Sequence, residues 1–399
     1  MRASLAIMPR ADLAHVPVST AERMVRTILE RADIGVNGRL PHDLRVNDPS
    51  FYRRILLNPA YEFGQTYVDG LWDCPNVDQL SHRLFTSSIG HAFEHGWQFR
   101  ARTLVAKMRN LQSRIRARIV ADRHYDLSND LFESILDPTM AYTCAMWKGQ
   151  NTLEGAQHAK MAAICRKLDL KPTDHMLDIG CGWGGLVQFA AKNHGARGTG
   201  LTISQNQHAF AQDRLRSTPG TQLRLMDYRD IRSENTLYEK VASVEMIEAV
   251  GPKNYGTFMQ TVHDAMRPGG AFLLQCFISH RSVNVCNEWF DRHIFPNGVS
   301  PSLALLSKAS ESTFGAPEEI ENIGLDYDPT LMAWNQNLTD NWSRLAQLGY
   351  DERFKRTWHF YLLSLAGIFR AEHLRCYQIL YRKGAWRSGS FASPAASAK

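Results

Sequence analysis

A doubly wound, mostly parallel α/β sheet with helical insertions, beside a smaller and mainly helical N-terminal domain, is the fold this sequence predicts. Three observations predict it. Met176-Leu177-Asp178-Ile179-Gly180-Cys181-Gly182-Trp183-Gly184-Gly185 is an apolar strand that breaks into a glycine-dense turn and runs into a helix. Short apolar runs then alternate with helical periodicity, the pattern of a parallel sheet covered on both faces. Residues 20–95 instead read as a small helical unit with aromatic anchors.

Taken in order, Met1 to Met24 mixes Arg, Pro, Asp, His and Glu and lacks the apolar core of a signal peptide. Phe51, Tyr52, Tyr61, Phe63, Tyr67 and Trp72 anchor the helical unit, assigned to residues 1–98; Asp69-Gly70 and Asp73-Cys74-Pro75-Asn76 mark its turns. Residues 99–123 read as a basic amphipathic linker helix. Arg100, Arg102, Lys107, Arg109, Arg114, Arg116, Arg118 and Arg123 stand there against Asp122, with Leu104, Met108, Leu111, Ile115 and Ile119 at helical spacing. Such a helix suits an anionic membrane surface, at about 1 kcal/mol per basic residue facing the headgroups. It equally suits an interdomain helix with a solvated basic face.

The larger domain spans 124–387. A helix near 153–168 precedes strands near 175–180, 197–203, 222–226, 240–246 and 271–277, with helices between. The helix carrying Tyr255, Phe258, Val262 and Met266 stops at Arg267-Pro268-Gly269-Gly270. Beyond 280 the chain turns helical. Asp328 as N-cap and Pro329 in the first turn start a helix with a buried stripe of Leu331, Trp334, Leu338 and Trp342. Phe354, Trp358, Tyr361, Leu365 and Phe369 mark a core helix, Cys376 to Tyr381 a last strand, and the Ser/Ala-rich stretch 388–399 a disordered tail.

Composition narrows the function. With 399 residues, 44% hydrophobic and 22% charged, the chain is long enough for two domains. No uninterrupted apolar run reaches the ~18 residues of a membrane span. Cysteines 74, 144, 165, 181, 276, 286 and 376 are odd in number, scattered and without a CxxC pair. That speaks against a disulfide frame or metal site and for reduced cytosol. The net charge of +6 is mild, and nothing resembling a nucleic-acid recognition module accompanies the basic helix.

Glycines in the 176–185 turn let the backbone take positive φ and let a ligand approach, while the following helix offers unsatisfied N–H groups. A dinucleotide site wants a carboxylate roughly 20 positions on. Here Gly198-Thr199-Gly200-Leu201-Thr202-Ile203-Ser204-Gln205-Asn206-Gln207 has none, and no lysine follows the glycines, which excludes a P-loop. A polar, uncharged ribose site fits S-adenosylmethionine better than NAD. Ser204 and Gln207 also have the spacing of a capping box, and a capping glutamine still faces the ligand end.

Further motifs coincide in order and spacing: His124-Tyr125-Asp126-Leu127-Ser128-Asn129-Asp130-Leu131-Phe132, Tyr142-Thr143-Cys144-Ala145-Met146-Trp147, Asp227-Tyr228-Arg229-Asp230, Glu245-Met246-Ile247-Glu248-Ala249-Val250-Gly251, Phe295-Pro296-Asn297-Gly298 and Asp326-Tyr327-Asp328-Pro329-Thr330-Leu331-Met332-Ala333-Trp334. From about Pro49 to Gly384 the chain closely resembles the cyclopropane-fatty-acyl-phospholipid synthases, which act on unsaturated lipid chains with S-adenosylmethionine. The resemblance implies a seven-stranded Rossmann-like methyltransferase sheet. It implies a donor site of Tyr125, Thr143, Asp178, Gly180, Gly182, Gly184, Thr202, Gln207, Asp227, Tyr228 and Arg229. Asp178 meets the methionine amino group or braces the glycine loop; Arg229 contacts adenine or pairs with Asp230 or a neighbour.

The implied reaction is attack of a cis alkene on the sulfonium methyl, then loss of a proton from that methyl and ring closure. The alkene is a poor nucleophile, so the site must hold it close and exclude water. Tyr142, Trp147 and Tyr327 are candidates to face the cation, each worth up to about 2 kcal/mol when desolvated. The resemblance implies a bicarbonate ion as proton acceptor, held by Cys144, Glu248 and Tyr327, with Gln275 where many members have His. Ala249 replaces another His. Glutamine donates a hydrogen bond but carries no proton. The bland alternatives are a small buried hydrophobe for Cys144, a helix cap for Glu248 and a turn seed for Tyr327. A metal has no place in this reading. Unsaturated phospholipid acyl chains are the expected substrate, met by a cytoplasmic homodimer docked peripherally on the inner membrane face, with the N-terminal unit a candidate docking or dimer surface. The alternatives are a fatty-acyl C-methyltransferase giving a methylene- or methyl-branched chain, and a non-catalytic lipid-binding relative.

Overall fold

The computed structural model describes residues 17–90, 110, 112 and 128–384. Seven strands make one sheet: β1 (His175–Ile179), β2 (Arg197–Thr202), β3 (Thr221–Leu225), β4 (Tyr238–Val244), β5 (Met266–Ser279), β6 (Glu319–Asn322) and β7 (Leu374–Arg382). Their order is 3-2-1-4-5-7-6. The first five run parallel, and β7 is antiparallel to both β5 and β6. The sheet is therefore doubly wound and mostly parallel, with its switch between β1 and β4, where open α/β sheets bind ligands beyond their carboxyl ends.

The helices that concern the site are α1 (Val18–Glu30), α2 (Ser50–Leu57), α3 (Pro59–Val68), α4 (Val77–Thr86), α5 (Leu153–Lys167), α6 (Gly185–His194), α7 (Gln205–Leu215), α8 (Tyr255–Ala265), α9 (Tyr327–Asp340) and α10 (Glu352–Arg370). Helix α8 buries Tyr255, Phe258 and Val262, as the stripe predicts. It ends at Ala265, and Met266 already opens β5. The stop signal at Arg267-Pro268-Gly269-Gly270 is a slip in the ladder: Tyr238 pairs with Met266, then Lys240 with Ala271.

Three expectations are corrected. Asp328 is not the N-cap of α9; Asp326 holds that position. Asp328 lies inside the first turn, where its two oxygens accept from Arg370 Nε and Nη2 at 2.8 Å each. Trp342 opens the next short helix, Trp342–Gln347, rather than ending the α9 stripe. Strand β6 was not anticipated, because Glu319, Ile320 and Asn322 are exposed and offer no alternation of apolar residues.

One apolar cluster joins the N-terminal helices to the C-terminal ones. Phe51, Phe63, Trp72 and Leu84 share it with Trp289, Phe360 and Phe369. The predicted boundary near residue 98 thus marks no break in the core. The basic segment 99–123 lies outside the described residues except for Asn110 and Gln112, as does the tail 388–399. Among the described residues, no helix is long and apolar enough to cross a membrane.

Candidate active site

A cleft opens where the sheet's topology predicts. Asp178 to Gly182 supply it from the end of β1, Leu201 to Ser204 with Gln207 from β2 and α7, Met226 to Arg229 from beyond β3, and Val244 to Met246 from β4. Gly180 takes φ +83°, and a Cβ there would stand 2.6 Å from Met246 Cγ. Only glycine meets both demands. Gly182 lines the cleft too; Gly184 (φ +78°) caps α6 behind it, against Leu215.

Asp178 is 2% exposed, and its Oδ1 has no hydrogen-bond partner. Burial pushes its carboxyl up to about 7. A buried, orphaned carboxylate oxygen at the glycine turn is a vacant acceptor for a ligand's ammonium. At the next strand end, Ser204 caps α7 by accepting from Gln207 N at 3.3 Å. The reciprocal half of a capping box is missing, because Gln207 Oε1 accepts from the Thr202 hydroxyl at 2.9 Å. Asp227 is tied to Arg229, accepting from its N–H at 3.0 Å and from Nη1 at 2.8 Å. The guanidinium lies 4.7 Å from the centre of the Tyr228 ring. Arg229 therefore pairs with Asp227, a neighbour two residues before it.

The cleft wall also carries a carboxylate, Glu245. Glu245, immediately after β4, accepts from Cys144 N at 3.0 Å and Gln275 Nε2 at 2.7 Å on Oε1, and from the Tyr327 hydroxyl on Oε2. Cys376 Sγ stands 3.6 Å from Oε1. Burial raises its pKa, against the pull of those hydrogen bonds and of the Lys160 charge. Three of the four predicted catalytic residues, Cys144, Gln275 and Tyr327, thus meet around one group. Glu248 does not join them. It sits on the short helix Ile247–Val250, its Oε1 accepting from Phe277 N at 2.6 Å, and burial pushes it up to about 8. Of the two glutamates in Glu245-Met246-Ile247-Glu248, the one at that meeting point is Glu245.

Lys160 was also missed. It is buried on α5, and its Nζ donates to Thr143 Oγ1 at 2.6 Å beside the cleft. Burial lowers its pKa, while Glu245, Asp137, Cys144 and Asp178 oppose that shift. Its place between Ala156 and Ile164, both fully buried at helical spacing, is the sequence signal that marks it. Tyr142 lines the cleft with its ring 5.0 Å from Trp334 and its hydroxyl 2.7 Å from that of Tyr361. Trp147 does not: its indole donates to Thr330 Oγ1 at 2.9 Å. Tyr125 lies outside the described residues.

On this strand order, a cleft built in this way is that of the S-adenosylmethionine-dependent methyltransferases, and the chain is an enzyme of that class. Comparison with known proteins narrows the class. Residues 112–379 match the model of the mycolic acid cyclopropane synthetase family. The chain is 41% identical over 369 residues to the cyclopropane-fatty-acyl-phospholipid synthase of Escherichia coli K12, covering 92% of this chain and 95% of that one. It is 35% identical over 353 residues to a probable fatty acid methyltransferase of Pseudomonas putida, covering 84% and 85%. The crystal structure of mycolic acid cyclopropane synthase CmaA1 complexed with SAH and CTAB superposes with a TM-score of 0.61 at 25% identity, over 67% of this chain and 98% of that one. The chain belongs to the cyclopropane synthetase family.

Proposed function

We propose that this enzyme transfers a one-carbon unit from S-adenosylmethionine to the cis double bond of an unsaturated phospholipid acyl chain, giving a cyclopropane. The observation that carries the reading is a single cleft whose wall holds the glycine turn and the orphaned Asp178 oxygen together with Tyr142 and the half-buried Glu245. Asp178 would hold the donor's ammonium, Thr202 and Gln207 its ribose, and Asp227 with Tyr228 its adenine. The donor supplies an electrophilic methyl on a cationic sulfur. Thr143 belongs to the same wall, fixed by Lys160.

The chain's own residues do three things around the alkene. Met140, Tyr142 and Trp183 present apolar and aromatic surface that excludes water. The Tyr142 face stabilises positive charge on the acyl carbon. Gln275, Cys144 and Tyr327 hold a carboxylate beside it. A bicarbonate ion does not fit this arrangement. Three of the four residues allotted to it, Cys144 through its backbone N–H, Gln275 and Tyr327, already donate to Glu245, and a second anion there would face that half-buried carboxylate.

The substrate lies in a bilayer, so the proposal includes peripheral contact with the anionic inner membrane face through segment 99–123, and a homodimer in the cytoplasm. Lipids from a host expressing this chain alone test it. The expected result is a mass gain of one methylene on monounsaturated chains with a high-field ring-methylene proton signal; an unchanged lipid profile sinks it. The similarity to a fatty acid methyltransferase, together with Gln275, favours a second reading, a methylene-branched product. The same spectra distinguish it by vinylic rather than ring protons.

A further inference from the structure

We propose that Glu245 is the proton acceptor of the reaction, a base carried by the chain itself at the position where a bound anion is expected. The inference deepens the cyclopropanation reading above and rests on it.

The donor set is matched to a fixed carboxylate. Gln378 Nε2 donates to Gln275 Oε1 at 2.9 Å, which turns the Gln275 amide nitrogen toward Glu245, 2.7 Å away. The amide orientation follows from this chain of donors. Residues Val244, Gln275 and Gln378 lie in one cross-strand row of β4, β5 and β7, so the sheet's register sets the pair. Glu245 follows that row directly. Its backbone is in the left-handed region at φ +55°, where glutamate is uncommon, and its N–H donates to Gln275 O at 2.7 Å. A residue held in such a conformation by its neighbours is what a built site shows.

The other carboxylates fail as bases. Asp227 is locked to Arg229, Asp178 sits in β1 just before the glycine turn and is assigned to the donor's ammonium, and Glu248 does not line the cleft. On Glu245, Oε1 carries two N–H donors with a thiol near it, and Oε2 carries the Tyr327 hydroxyl. A carboxylate has about four lone-pair sites, so Oε2 retains one for an incoming proton.

The step balances. The alkene's π pair bonds to the methyl carbon while the methyl–sulfur bond breaks, its pair staying on the thioether. One C–H proton of the new methyl passes to Glu245, and the C–H pair closes the ring at the cationic carbon. Glu245 is left as a carboxylic acid beside Tyr327, and water takes the proton once the products leave.

The test uses the full chain, S-adenosylmethionine and vesicles of monounsaturated phosphatidylethanolamine and phosphatidylglycerol, in buffer stripped of carbon dioxide or supplemented with bicarbonate. Wild-type turnover is expected to differ by less than about twofold between the two buffers. Glu245→Gln is expected to lose at least about 1000-fold in kcat, in line with removal of a general base, while its donor affinity by calorimetry stays within about threefold. Glu245→Gly suits the left-handed backbone and vacates the carboxylate's place. Its residual rate is expected to rise at least about tenfold with bicarbonate, a gain that a purely structural role would not give. Wild-type activity that vanishes without bicarbonate, or a folded Glu245→Gln with turnover near wild type, overturns the proposal alone. If Glu245→Gln does not fold, the wild-type comparison between buffers decides. A wild type that modifies no lipid in either buffer overturns the function reading, and this one with it.

Discussion

Asp178 couples ligand binding to stability. Its carboxyl stands near 7 in the folded chain against an ordinary 3.8, raised by burial and opposed only by Lys160. Between those values the folded state holds the proton more tightly than the unfolded state does. The group's penalty is therefore absent below about pH 3.8, grows as pH rises toward 7, and then levels off at about 4 kcal/mol. Asp178→Asn is expected to flatten that part of the profile, seen as a smaller loss in urea midpoint from pH 5 to pH 8 than wild type shows. The same variant should bind S-adenosylmethionine about 10- to 100-fold more weakly at pH 8, since it removes a charged partner worth about 1.5–3 kcal/mol. Cys144 works differently. Its thiol is raised by burial and stays protonated, and what reaches Glu245 is its backbone N–H. Cys144→Ala should therefore keep kcat within about tenfold, the cost of one weak hydrogen bond and a small cavity; a loss beyond about 1000-fold would show that the thiol reacts. The glycine turn and Asp178 are legible in sequence because few residue types can make such a turn. Glu245 is not. Nothing local assigns a glutamate to positive φ, and its partners come from positions 144, 275 and 327, which only the folded sheet brings together.

At the scale of elements, the junction of α4 with α10 is the tightest. A Cβ on Gly367 would run into the Asp78 carbonyl and stand 2.7 Å from His82 N, both backbone atoms. Alanine gains about 1 kcal/mol in helix propensity over glycine, yet here it must push two helices apart. Gly367→Ala is expected to destabilise the chain by about 2 kcal/mol net, read as a lower urea midpoint at unchanged slope. Arg370, three residues on, closes the same junction by bridging Asp78 on α4 and Asp328 on α9, with nitrogens at 2.8 Å from each. The stripe of α10 could be read directly, because Trp358, Tyr361, Leu365 and Phe369 recur at helical spacing and all are buried. The role of Asp328 could not. The dipeptide with Pro329 looks like a helix start from either register, and only the position of Arg370 shows that Asp328 pairs inside the first turn.

For the whole molecule, the N-terminal helices are part of the core that surrounds the cleft. Phe132, Trp183 and Trp334 of the cleft's surroundings belong to the same apolar cluster as Trp72 and Leu84, and Tyr142 packs against it. A chain beginning at residue 110 would expose that face, so it is expected to lose cooperative thermal unfolding and near-ultraviolet circular dichroism. A sharp melt in that fragment would show two separable units instead. The alternation of strands and helices was legible from 175 onward, since each element carries its own period. The shared core was not, because it depends on which faces meet across hundreds of residues. One consequence follows from the place of β7 between β5 and β6. That strand supplies Cys376 and Gln378 to the surroundings of Glu245, yet it is synthesised about two hundred residues after β1. A nascent chain halted short of Leu374 can shape the glycine turn of its cleft but leaves Glu245 without Cys376 and Gln378 around it. Activity therefore arrives late in the making of the protein, and abruptly.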